Sequence, residues 1–151
     1  NFSFKTGVRT FEAASFLRRL GADTVEIKKI FSNNLENYIA KAEIIKSAKV
    51  ENKIAIAVCP ENITDTVVAA QAADELLNIT GIQASFVLIK LGEDVAISAR
   101  SLGDINVQVI LEELGGGGHM TMAGAKIKDA TIDEAIEKIK EAIAKNSREG
   151  E

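Results

Sequence analysis

A single cysteine, Cys59, and a single histidine, His119, are the only thiol and imidazole in this sequence. An internal disulfide is excluded, the usage fits a reducing compartment, and a zinc site of Cys and His cannot be assembled. Cys59 ends an apolar run and reads as a small buried apolar residue. Excess positive charge is also missing: 18 Lys and Arg against 22 Asp and Glu give a net charge of −4. No general basic field is available to hold long DNA or RNA, so bulk duplex nucleic acid is excluded and any nucleotide chemistry needs a small ligand and local cations. No apolar stretch is long enough to cross a bilayer and no secretory leader is recognisable, so the expectation is a cytoplasmic domain. The chain starts Asn1-Phe2-Ser3-Phe4 with no Met, which reads as a piece of a longer protein. With one proline and 46% apolar residues, the 151 residues suffice for one core and a small appendage.

What the sequence does have is glycine in one place. Gly115-Gly116-Gly117-Gly118 runs directly into His119. Glycine loses more backbone entropy on folding than any other residue and in return tolerates φ > 0 and close approach by another molecule. The expectation is an anion nest, with His119, Met120, Thr121, Met122 and Ala123 forming a short helix capped by Gly124 whose N-terminus aims at the same anion. The plain alternative is a hairpin or linker. The run follows a helix, lacks the G-x-G-x-x-G spacing and the later acidic partner of a dinucleotide loop, and lacks the Gly-Lys-Ser/Thr ending of a P-loop.

Periodicity places the run. Helical stripes cover Thr10 to Leu20, a second start at Asp23 with Glu26, and Asn33 to Lys49. From Lys53 the pattern becomes mixed: strand 54–58, helix Thr64 to Asn78, strands Ile82 to Leu91 and Val95 to Arg100 around Gly92-Glu93-Asp94, and helix Asp104 to Leu114. After the glycines come a strand at Ala125 to Lys128 and a last amphipathic helix opened by the capping box Thr131-x-x-Glu134, with a frayed tail from Asn146. The fold class is α/β, a mixed sheet covered by helices and preceded by a helical linker segment, with the boundary between Ala48 and Glu51, so that 1–50 and 51–151 are the two parts.

A second group of polar residues lies upstream of the glycines. Arg100 offers a planar, permanently charged fork for a phosphate, and Ser101 and Asn106 offer hydrogen bonds to a ribose or base edge. The structural alternatives are an Arg100 ion pair with Glu93 or Glu112, and helix capping by Asp104, the favoured cap, or by Asn106. If the strand ending at Arg100 pairs with the strand at Ala125, the arginine lies beside the glycine run.

Arg100-Ser101-x-Gly103-x-Ile105-Asn106-Val107, a helix, and then Gly-Gly-Gly-Gly-His-Met-x-Met-Ala-Gly-Ala resemble the signature of the DHH-associated domain, first type, of the DHH phosphoesterase superfamily. The stretch Phe4-Lys5-Thr6 with Thr10 to Ala14 and Leu20 to Asp23 resembles the end of the DHH domain and its linker helix. Within the superfamily the likeness is greatest to the GdpP-type cyclic di-AMP phosphodiesterases. The resemblance implies hydrolysis of a cyclic dinucleotide by two manganese ions held in a DHH domain, with the associated domain gripping the substrate. Arg100, Ser101 and Asn106 would then be substrate contacts, and Gly116, Gly117, Gly118 and His119 the loop that holds phosphate. His119 either protonates the leaving oxygen or only hydrogen-bonds the phosphate. The resemblance also implies a membrane-anchored parent. The metal-binding Asp-His-His run is not in this sequence, so this chain is expected to bind and not to hydrolyse, with the DHH domain as its partner and a homodimer as a further option. Alternatives are an enzyme of the oligoribonuclease and pAp phosphatase kind acting on short oligonucleotides, or a non-catalytic nucleotide-binding or dimerisation module.

Overall fold

A computed structural model of the chain describes residues 6–30, 32 and 34–148. Phe4, Lys5, the proposed helix start at Asn33 and the end of the tail at 149–151 lie outside the described residues. The chain divides into two units between Asn34 and Leu35.

The first unit holds helix α1 (Val8–Arg19) and helix α2 (Thr24–Ile30). Gly21, with φ 97, stops the first, because a left-handed residue cannot continue a helix. Asp23 opens the second, its Oδ1 accepting from the Val25 N–H at 2.7 Å. Neither helix buries a residue.

The second unit contains α3 (Leu35–Lys46), β1 (Lys49–Glu51), β2 (Ile54–Val58), α4 (Thr66–Leu76), β3 (Ala84–Leu91), β4 (Asp94–Ser101), α5 (Val107–Glu112), β5 (Gly117–His119), β6 (Met122–Ile127) and α6 (Ile132–Arg148). The strands form one sheet in the order β1-β2-β3-β4-β6-β5. Only β2 and β3 are parallel, and α4 is the crossover between them. Helices α3 and α4 cover one face through Ile44, Val68, Ala72 and Leu76 against Ala55, Ala57, Val87 and Ile89. Helices α5 and α6 cover the other through Val107, Leu111, Ala135 and Ile139 against Phe86, Leu88, Ile97 and Ala99. Strand β3 is covered on both sides, so its first six residues are all buried and it reads as an unbroken apolar run. Strand β4 instead alternates half-buried and buried along its whole length.

Local signals set the ends of these elements. Asp65 caps α4, accepting from the Val67 N–H at 2.8 Å. Thr131 and Glu134 form the reciprocal capping box, Glu134 Oε2 accepting from the Thr131 N–H at 2.8 Å and Thr131 Oγ1 from the Glu134 N–H at 3.2 Å. Gly92 turns the β3–β4 hairpin with φ 63, the glycine-first geometry that suits the strand twist.

Four expectations are corrected. The helix ending at Lys49 stops at Lys46, and 49–51 pair with β2 as a short exposed strand; three residues give too little alternation to be read. The helix placed from Asp104 begins at Val107, and its cap is Asn106, whose Oδ1 accepts from the Gln108 and Val109 N–H groups. Asp104 is two residues too early and accepts instead from Gln83 Nε2 at 3.0 Å. Arg100 pairs with neither Glu93 nor Glu112; its partner is Asp74, 26 positions earlier on α4. The stretch after the glycines is not a short helix: Gly117–His119 and Met122–Ile127 are the two strands of a hairpin.

The glycine run explains that last change position by position. After α5 the Gly115 N–H donates to Glu112 O and the Gly116 N–H to Leu111 O, the Schellman closure, with Gly115 at φ 76. A Cβ on Gly116 would land on Gly124 O and Ala125 Cβ, and one on Gly118 on Met122 O and Ala123 Cα. Three of the four glycines therefore answer to helix termination or close strand approach. Gly117 answers to neither, since its Cβ would meet nothing within 4 Å.

Candidate functional site

Strand alternation sorts the residues of β4 between two surfaces. Ala99 and Ser101 turn toward α5 and α6, whereas Ser98 and Arg100 turn toward the side of α4. Arg100 meets α4 at Asp74, and the β5 and β6 residues that share its face are open to solvent. Met122 is 51% exposed, and Gly124, Lys126 and His119 are exposed as well.

Register aligns this open surface in rows. Arg100 stands opposite Met122, and Met122 opposite His119. In the next row Ser98 stands opposite Gly124, and Gly124 opposite Gly117. Directly opposed residues share a face, and two strand steps are about 10 Å, so the Arg100 and His119 side chains flank Met122, and the adjoining row is floored by Gly124 and Gly117. The expected pairing of the arginine strand with the strand containing Ala125 is present, Ala125 lying opposite Ile97.

The hairpin that supplies His119 is tied at its tip. The Ser101 N–H donates to Thr121 O and the Val107 N–H to Met120 O, both at 3.0 Å. The turn is thus anchored to the end of β4 and the start of α5. Arg100 is anchored too: its Nε donates to Asp74 Oδ1 at 2.7 Å and its Nη1 to Ala99 O at 3.0 Å. Toward the far end, Lys126 pairs with Asp94 at 2.7 Å. The Lys126 hydrogen bond and then the Asp129 N–H hold the Asp94 carboxyl below its ordinary range. Gln71, one turn before Asp74, keeps a buried Oε1 with no hydrogen-bond partner among the described residues.

Of the residues singled out by sequence, the structure brings together Arg100, Gly117 and His119. Gly116 lies just before β5 and Gly118 within it, and both use their missing side chains against β6. Ser101 is elsewhere: it is buried, and its Oγ accepts from the Gly103 N–H at 3.0 Å. Asn106 is spent on the α5 cap and lines a different feature, a groove of about 980 Å³ over Ile54, Ile56, Ile110 and Ile136 on the α5–α6 side. Two neighbours of Arg100 escaped the sequence reading. Ser98 was detectable from the period of two, whereas Asp74 looked like any solvated helix position. Among the described residues no group of three or more His, Cys, Asp or Glu could hold a metal ion, so the donor set here does not fit the two manganese ions the resemblance implies.

Residues 51–145, the sheet with its tied hairpin and most of α6, match the model of the DHHA1 domain. The chain belongs to the DHHA1 domain family. Over 146 residues it is 51% identical to the cyclic-di-AMP phosphodiesterase GdpP of Geobacillus thermodenitrificans, and 45% identical to the cyclic-di-AMP phosphodiesterase PdeA of Listeria monocytogenes. Each match covers 95% of this chain but 22% of the relative, so the DHHA1 chain spans about a fifth of the curated relatives it matches. An exopolyphosphatase-related protein of Bacteroides fragilis has the same fold, with a TM-score of 0.80 at 20% identity over 93% of this chain and 44% of that one. No described helix of the DHHA1 chain is long and apolar enough to cross a membrane.

Proposed function

We propose that this DHHA1 chain is the substrate-gripping part of a metal-dependent phosphodiesterase that hydrolyses cyclic di-AMP. The observation that carries the reading is the row Arg100–Met122–His119 on an uncovered part of the sheet, beside a glycine whose lack of a side chain the fold does not require. The relatives named as cyclic-di-AMP phosphodiesterases support the choice of substrate. On this reading the guanidinium of Arg100 donates to phosphate oxygens and fixes the dinucleotide against the sheet. His119 donates a second hydrogen bond from the neighbouring edge strand, where it holds either a phosphate oxygen or the proton for the leaving oxygen. Gly117 lets the ligand backbone settle onto β5. The hydrolytic metals belong to the DHH domain of the parent, together with a membrane anchor upstream, and the isolated chain binds without turning over.

Hydrogen bonds to a charged group contribute roughly 1.5–3 kcal/mol each. Loss of translational freedom offsets much of two or three of them, leaving at most about −4 to −5 kcal/mol, in the millimolar to high micromolar range. The test is an amide NMR titration with cyclic di-AMP, its linear dinucleotide and inorganic phosphate. Shifts should gather at 98–100 and 117–124 and be larger for the dinucleotides, and Arg100→Ala and His119→Ala should each weaken binding about tenfold without unfolding the chain. Saturating dinucleotide with no response on this surface would overturn the gripping role of Arg100, Gly117 and His119 and leave Gly115, Gly116 and Gly118 with their architectural roles alone.

A further inference from the structure

We propose that Asp74 is a positioning residue for substrate phosphate, holding the Arg100 guanidinium in place over the open part of the sheet. The inference rests on Arg100 being the phosphate contact. Arg100 is held at two nitrogens, Nε by Asp74 at 2.7 Å and Nη1 by the Ala99 carbonyl at 3.0 Å, which leaves Nη2 with no partner among the described residues. Its side chain is only 12% exposed, against 57% for Asp74. A pair this open at the acidic end contributes little to stability. What it does is remove rotamers that phosphate binding would otherwise have to freeze.

The helix backbone that carries the carboxylate is tied to the sheet. Ser85 Oγ donates to Ala73 O at 2.7 Å in a fully buried bond. Ser85 is also the residue directly opposite Arg100 on the neighbouring strand. The helix position next to Asp74 is thereby bolted to the strand position next to Arg100, and the separation of carboxylate and guanidinium is set by the core.

The sign of one substitution separates positioning from simple charge. Removing a carboxylate beside an arginine leaves more net positive charge, which by electrostatics alone tightens the binding of an anion; loss of positioning weakens it. The experiment is titration of the 151-residue chain with cyclic di-AMP, reading backbone amides and the Arg100 Nε–Hε resonance by NMR, in wild type, Asp74→Ala, Asp74→Asn and Asp74→Glu. Asp74→Ala and Asp74→Asn are expected to raise the apparent Kd by about threefold to tenfold and to shift and broaden the Nε–Hε signal, with partial recovery in Asp74→Glu. Unchanged or tighter binding in Asp74→Ala, or an unaltered Nε–Hε signal, overturns the positioning role while leaving the phosphate reading of Arg100 intact. A wild-type chain whose Arg100 and His119 signals ignore cyclic di-AMP overturns the phosphate reading and the positioning role with it.

Discussion

Adjacent glycines of one run carry different duties, and single alanine substitutions distinguish them. Gly118 has φ 150, and its Cβ would strike the Met122 carbonyl and the Ala123 backbone. Backbone cannot yield as a side-chain tip can, so Gly118→Ala should destabilise the chain by about 2–4 kcal/mol, measurable as a lower midpoint in urea. Gly117→Ala meets open space and should lie within about 1 kcal/mol of wild type. On the proposed function it weakens dinucleotide binding through the added methyl alone; Gly117→Ala that binds as wild type does would remove this glycine from the site. The buried Cys59 illustrates a residue legible at once. It was read as a small core residue, and it is 5% exposed with burial pushing its thiol up to about 12. Arg100 was half legible: its charge and shape marked it, but its partner came from a helix 26 residues away, a tertiary choice with no local trace.

Among the elements, those with a clear period were read to within a few residues, as with α4, or with α6 and its Thr131–Glu134 box. The β5–β6 hairpin was misread because its signal was inverted. Glycines and a histidine have little strand propensity, and the chain extends there only because β6 offers a close-packed ladder that side chains would obstruct. Asp104 was favoured over Asn106 as the cap, since either residue type serves and two positions of offset are not visible in composition. The strand that begins at Asp94 makes a pH-dependent prediction. The Asp94 carboxyl titrates below its ordinary range because Lys126 and the Asp129 N–H stabilise the anion. A depressed folded pKa gives stability that is complete above the unfolded value of about 4 and is lost as pH falls through the folded one. Asp94→Asn should therefore melt below wild type at pH 7, with the gap narrowing as pH falls below about 4; a gap that does not change with pH would assign the effect to something other than this charge.

At the scale of the whole molecule, α3 belongs by packing to the sheet unit, with Ile44 fully buried against the α4 face, while α1 and α2 bury nothing. Sequence showed helices throughout this stretch but not which core each would join, because amphipathic spacing states that a face is apolar and not where it docks. Deleting residues 1–34 should leave the sheet unit folded. The check is the alkylation rate of Cys59 at pH 8, which should stay slow and equal in the long and short chains, and rise only on unfolding. Rapid alkylation in the short chain would show that the sheet unit depends on the first two helices. The mixed sheet and its covering helices were legible from the alternation of periods; the division of its two faces, with Arg100 on one and Ser101 on the other, needed the register.

Both outermost strands of the sheet, β1 and β5, are three residues long. A second chain attempting to extend the ladder meets charged Lys49 and Glu51 on one side and glycine on the other, with too few amides in either place to nucleate a continuous array. Sheet growth is capped in both directions, which disfavours strand-by-strand fibrillar extension.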